Sequence, residues 1–145
     1  ASFIGLSSSH RFPDLVRAVI EGLGLAARDC YDAMGAMPGE IRLTGGAARS
    51  KALRAIFSAS VNAAVRTSAR EEAGAAGAAM MAAVANGVHE TMDACIAEWV
   101  TPLLGEAEAP DSALASVYAR TYPAYRASRE ALAPVWAQLS ETGDE

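Results

Sequence analysis

From Arg11 to Met34 apolar residues return at helical intervals, as Leu15, Val16, Val19, Ile20, Leu23, Ala27, Cys30, Tyr31 and Met34. Asp14, Arg17, Glu21, Arg28 and Asp32 take the other side, and Pro13 sits in the first turn, where a missing N–H costs little. The pattern predicts one long amphipathic helix. Before it, Ser2 to Leu6 reads as a short buried strand carrying Phe3, Ile4 and Leu6. After it, "GAMPGE" breaks the helix, "IRLT" supplies a strand and Gly45-Gly46 stops that strand. A second helix is expected from about Arg49 to Ser60 on Leu53, Ile56 and Phe57, then a short strand in "AAVRTS" and a helix in "REEAGAAGAAMMAAVANG" closed at Asn86-Gly87. This alternation predicts an α/β layer with helices packed on a small sheet.

The rest of the chain reads as helical. Met92 to Val100 forms a short helix, "TPLLGEAEAPD" a loop, and Ser112 to Leu139 a long segment that Pro123 and Pro134 are expected to kink or divide. Leu114, Val117, Tyr118, Tyr122, Tyr125, Leu132, Val135, Trp136 and Leu139 make its packing stripe. No internal repeat is visible. One unit over residues 1–140 and a frayed tail over 141–145 is the expected organisation.

Composition narrows the partners. The chain has 145 residues, 52% of them hydrophobic, enough for one domain with a sizeable core. Its net charge is −5, and its 11 Arg and single Lys are scattered, so the electrostatic footprint of a nucleic-acid binder is missing. The Ala-rich stretch from Ala73 to Ala85 is too short to span a bilayer, and no membrane contact is expected. Cys30 and Cys95, far apart in apolar helical patterns, read as two buried reduced thiols, which suits the cytoplasm. A strand at the very start of a chain without an initiator Met suggests a piece of something longer.

Two stretches carry candidate chemistry. In "EIRLTGGAARSKALRAIF", the paired glycines after a strand permit a sharp turn and leave no Cβ between backbone and ligand. The helix that follows offers unpaired N–H groups, so phosphate or ribose is attracted there. Tight turns also use glycines for turning alone, and the pattern is neither the P-loop nor the dinucleotide fingerprint. In "EEAGAAGAAMMAAV", Gly74 and Gly77 each cost roughly 0.5–1 kcal/mol relative to Ala in a helix interior, so a close approach by a neighbouring element or a ligand should offset them.

In this order and separation the two stretches resemble the C-terminal domain of the FGGY family of carbohydrate kinases. "FIGLSSSHRFPDLVRAVIEGLGLAARDCYDAM" is similar to the strand and long helix that precede its nucleotide loop. The resemblance implies an actin-like, ribonuclease H-like ATPase lobe and ATP-dependent phosphorylation of a sugar or polyol hydroxyl. By it, Gly45 and Gly46 let the backbone approach ATP, Ala47 keeps that surface low, and Ser50 stands where relatives use Ser or Asn near the adenosine. Arg49 lies at the rim, and a surface ion pair is its expected role. The wording leans toward the erythritol-phosphorylating branch over those for xylulose, ribulose or glycerol.

The resemblance also implies what these residues lack. The family's other lobe, with the phosphate-gripping hairpin, most of the sugar site, the catalytic Asp base and most Mg²⁺ ligands, has no counterpart here, so the chain alone is expected to be inactive. Asp14, Asp29, Asp32, Asp93, Asp111 and Asp144 read as solvated carboxylates, and His10 and His89 lack metal-ligand spacing. No catalytic or metal residue is assigned. Expected partners are the sugar or polyol and the protein's own N-terminal lobe, and a homodimer is compatible with the reading. A non-catalytic nucleotide-binding relative and an interaction domain whose glycines only turn the chain stay open as alternatives.

Overall fold

The computed structural model describes residues 2–70 and 72–141, without the side chains of Ala47 and Glu141. Helix α1 spans Phe12–Ala33. The Asp14 carboxylate accepts the Arg11 N–H at 2.8 Å, and Pro13 lies in the first turn, so donors left free by the helix start are answered locally. Strand β1, Glu40–Leu43, follows, then a short helix α2, Gly45–Arg49, and helix α3, Lys51–Val61. Asn62 closes α3 in the left-handed region at φ +56°, which an Asn side chain tolerates. Strand β2, Ala64–Thr67, pairs parallel with β1 from Glu40 opposite Ala64 to Leu43 opposite Thr67. Helices α4, Ala73–Ala85, α5, Met92–Trp99, and α6, Ser112–Glu141, complete the order, with one 3-10 turn at Thr101–Leu103.

The predicted α/β layer is present, with three differences from the sequence reading. Residues 2–6 form no strand, and Phe3, Ile4 and Leu6 are all about half exposed or more. A strand needs a neighbouring backbone, and no described segment offers one there. The predicted loop does supply pairing instead: Val65 and Glu108 exchange N–H···O bonds of 2.9 and 2.8 Å, and Gly105 donates to the Thr67 carbonyl at 2.9 Å. The free edge of β2 is thereby covered. Pro123 does not divide α6, because Tyr118, Tyr122 and Tyr125 on both sides of it are docked. Residues 142–145 of the expected frayed tail lie outside the described residues.

Burial separates the apolar residues of α1 into two sets, the inner one including Leu25, which lies outside the predicted stripe. Ile20, Leu25, Ala27 and Tyr31 pack inward, while Phe12, Val16, Val19 and Leu23 stay exposed. Cys30 is exposed too, off the packed face, whereas Cys95 is fully buried; both are free thiols. One core joins Leu25, Ile56, Ala59, Tyr118 and Tyr122 from α1, α3 and α6. The other joins Ile41, Val61, Ala63 and Val65 beside the sheet. Helix α4 has no polar side chain, yet only Met80 and Ala83 are buried, and a Cβ added at Gly74 or Gly77 would meet nothing within 4 Å.

Polar contacts seat α6. The Tyr118 hydroxyl donates to Glu21 Oε1 at 2.9 Å. That of Tyr122 lies 2.6 Å from Asp32 Oδ2 and 3.2 Å from Asp29 Oδ1. The Arg28 guanidinium stacks 4.4 Å above the Tyr122 ring, and Arg126 and Arg129 reach Asp29. Asp29 and Asp32, read as simply solvated, are therefore partners of the α1–α6 contact. Burial first, and the bond to Glu21 second, push the Tyr118 phenol up to about 12; burial and the bond to Asp32 raise Tyr122 further.

Gly24 sets the separation of α1 from α3. A Cβ there would stand 2.6 Å from Ser60 Oγ and 3.1 Å from Ser60 Cβ. Gly24→Ala should therefore destabilise the protein by about 1–3 kcal/mol despite its better helix propensity. Ser60→Ala should restore part of the lost melting temperature, and additive effects in the double-mutant cycle would remove this contact as the cause.

The raised phenols fix the sign of the alkaline response. Stability from neutral Tyr118 is complete below the ordinary phenol value near 10 and declines above it, as the unfolded chain ionises first. It is lost once pH passes about 12. A difference titration of phenolate absorbance between the intact protein and Tyr118→Phe should place this ionisation near 12, and a value near 10 would contradict the buried contact.

Candidate nucleotide site

Two parallel strands point their C-terminal ends, Leu43 and Thr67, the same way. In α/β proteins the crevice beyond such ends is where ligands sit. Here it holds a cavity of about 270 Å³ lined by Gly45, Ala48 and Arg49 on one side and by Thr67, Ser68, Ala69 and Arg70 on the other.

Its first wall is built by the glycine turn. Gly45 has φ +72°, a conformation that costs an L side chain and not glycine. The chain then coils at once into α2, earlier than the helix start expected near Arg49. At Ser50 the backbone is extended, with φ −88° and ψ 113°, and its Oγ accepts the Leu53 N–H at 3.3 Å as the cap of α3. The helix expected from about Arg49 to Ser60 is thus present as α3, preceded by a short helix that the sequence reading did not include. A capping serine uses an acceptor lone pair and keeps its O–H as a donor.

Gly45 lines the cavity directly, and its neighbours differ in position. Gly46 is exposed, and a Cβ built on it meets nothing within 4 Å. Ser50 is exposed at the α2–α3 junction and outside the cavity lining. The side chain of Ala47 lies outside the described residues. Gly45, Gly46 and Ser50 therefore share one exposed turn, of which only the first faces the strand ends.

The second wall was not singled out in the sequence. Arg70 is half-buried, donates from Nη2 to the Trp99 carbonyl at 2.7 Å, and has its own N–H on Ser68 Oγ at 3.2 Å. The available signal was position: Thr67 to Arg70 directly follow a strand parallel to the one that ends at the glycines. Arg49, for which an ion pair was expected, makes none among the described residues. By contrast Arg42 and Arg66 pair with Glu40, and Arg54 pairs with Glu108. No group of three or more His, Cys, Asp or Glu that could hold a metal ion occurs among the described residues. Nor, among them, is any helix long and apolar enough to cross a membrane.

Residues 1–86, from the chain start through the cap of α4, match the profile of the FGGY family of carbohydrate kinases, C-terminal domain. The chain belongs to this family. It is 69% identical over 140 residues to an erythritol kinase of Brucella abortus, covering 97% of this chain and 27% of that protein. Among solved structures, a ligand-bound xylulose kinase from Lactobacillus acidophilus superposes with a TM-score of 0.80 at 26% identity, covering 95% of this chain and 28% of the other. A xylulose kinase from Rhodospirillum rubrum gives 0.72 at 32% identity, covering 94% and 28%. The chain thus spans a little over a quarter of the length of these relatives. Its α/β architecture, long final helix included, matches that of these kinase structures.

Proposed function

We propose that residues 1–140 are the nucleotide lobe of an ATP-dependent kinase that transfers the γ-phosphate to a hydroxyl of an acyclic polyol, erythritol. The observation that carries the nucleotide part is the left-handed Gly45 with the open backbone of Gly46, beside a cavity at the C-terminal ends of two parallel strands. Backbone without Cβ admits a flat or charged ligand to contact distance, and Ser50 retains a donor next to it. The polyol part rests on the 69% identity to the Brucella abortus erythritol kinase.

The lobe's contribution is binding and orientation. Phosphoryl transfer is accelerated mainly by holding the phosphates in line with the attacking hydroxyl and by stabilising their charge. Mg²⁺ accompanies the phosphates in such reactions, and the residues described here supply no carboxylate cluster to cage it. Its ligands, the catalytic base and most polyol contacts are assigned to the rest of the enzyme. Free thiols and dependence on ATP fit a cytoplasmic protein.

Gly46→Val in the complete enzyme puts a branched side chain into open space, so the fold should survive while the KM for ATP rises about ten-fold or more. Unchanged nucleotide affinity with a native circular dichroism spectrum would take this turn out of the site.

Substrate choice has a separate test. A site built for an acyclic polyol leaves buried polar groups unpaired when a ketose is bound, at about 1–3 kcal/mol for each. The complete enzyme should show a higher kcat/KM for erythritol than for D-xylulose, L-ribulose or glycerol in an ADP-coupled assay. A reversed order would assign the protein to another branch and leave the kinase reading standing.

A further inference from the structure

Around the sheet, arginines are generally matched with carboxylates: Arg42 and Arg66 with Glu40, Arg54 with Glu108. Among the described residues, the two that line the cavity at the strand ends are not. Arg49 makes no ion pair among the described residues, and Arg70 is fixed by a neutral carbonyl, that of Trp99 at the end of α5. That bond answers one orphan acceptor of a helix terminus and uses one of the five N–H donors of a guanidinium. It holds the group in place without neutralising it. The chain as a whole carries a charge of −5, and this cavity is lined by two cations that pair with no carboxylate among the described residues.

We infer that Arg70, with Arg49 across the cavity, binds phosphate oxygens of the nucleotide. This rests on the nucleotide reading above and adds to it a second wall that the glycine turn does not provide. A planar guanidinium matches two phosphate oxygens at once, and a half-buried one is less screened than a surface charge. Arg70 is anchored before any ligand arrives, so little side-chain freedom is lost on binding. Arg49, exposed at the end of α2, supplies charge from the other side of the same cavity.

The test compares ligands with and without phosphate on the complete enzyme, measuring dissociation constants for ADP and for adenosine by calorimetry. Arg70→Gln removes the charge and keeps an amide able to donate to the Trp99 carbonyl, so the fold is preserved. ADP should bind roughly ten-fold more weakly or worse while adenosine is unaffected, and Arg70→Lys should recover part of the loss. Arg49→Gln should shift ADP in the same direction by less. Unchanged ADP affinity in Arg70→Gln overturns the inference, and so does an equal loss for both ligands, which would make Arg70 a tether for α5. Gly46→Val, measured in parallel, separates the two levels. If it weakens nucleotide binding while Arg70→Gln does not, only the phosphate assignment fails; if neither variant changes either ligand, the glycine turn leaves the site and the phosphate assignment fails with it.

Discussion

The approach of α1 to α3 at Gly24 is the constraint on which the remaining geometry depends. With no side chain on Gly24, Ser60 comes close enough that even a methyl group would collide with it. Leu25, Ile56 and Ala59 close around the contact. Helix α3 is then held on one side by α1 and on the other by Tyr118 and Tyr122 of α6. Because α3 begins at the Ser50 cap, fixing it also fixes α2 and the glycine turn, and hence one wall of the cavity. A site loop with little packing of its own is positioned by a core two turns away.

The opposite wall depends on a different device. A two-stranded sheet is a weak platform, and β2 would present an open edge without residues 103–108. Their antiparallel bonds to Val65, Thr67 and Ala69 cover it. Gly105 is needed for this approach, since a Cβ there would lie 3.2 Å from Thr67 Oγ1. The same loop follows α5, whose terminal carbonyl anchors Arg70. Sheet closure and the placement of a cavity cation are therefore coupled through one connection.

Two apolar surfaces are left over. Phe12, Val16, Val19 and Leu23 run along α1 at intervals of four, three and four residues, and α4 presents Gly74, Ala75, Ala78 and Met81 with no polar group among them. A helix apolar on all sides is normally a buried one. Among the described residues nothing covers these two faces.

Local signals in the sequence were enough for most of the elements. Periodicity marked α1 and α3, short β-prone runs marked the strand pair, an Ala-rich run closed at Asn86-Gly87 marked α4, and Gly45-Gly46 marked the turn, because helix, strand and left-handed backbone each have short-range causes. The family was legible for the same reason: its two glycine-bearing strings are contiguous. What the sequence could not decide were matters of partnership. "FIGL" has the composition of a strand, but pairing requires a second backbone, and here none meets it. Cys30 belongs to the apolar pattern of α1, yet in the packed chain no other segment covers it among the described residues. Pro123 is a helix breaker by itself, and three docked tyrosines keep α6 in one piece. Arg70 looked like any surface arginine until the fold brought it, 21 residues further along, opposite Arg49 at the ends of two strands. Each outcome depends on which segments meet, and contact between distant segments is a property of the packed chain and not of any stretch within it.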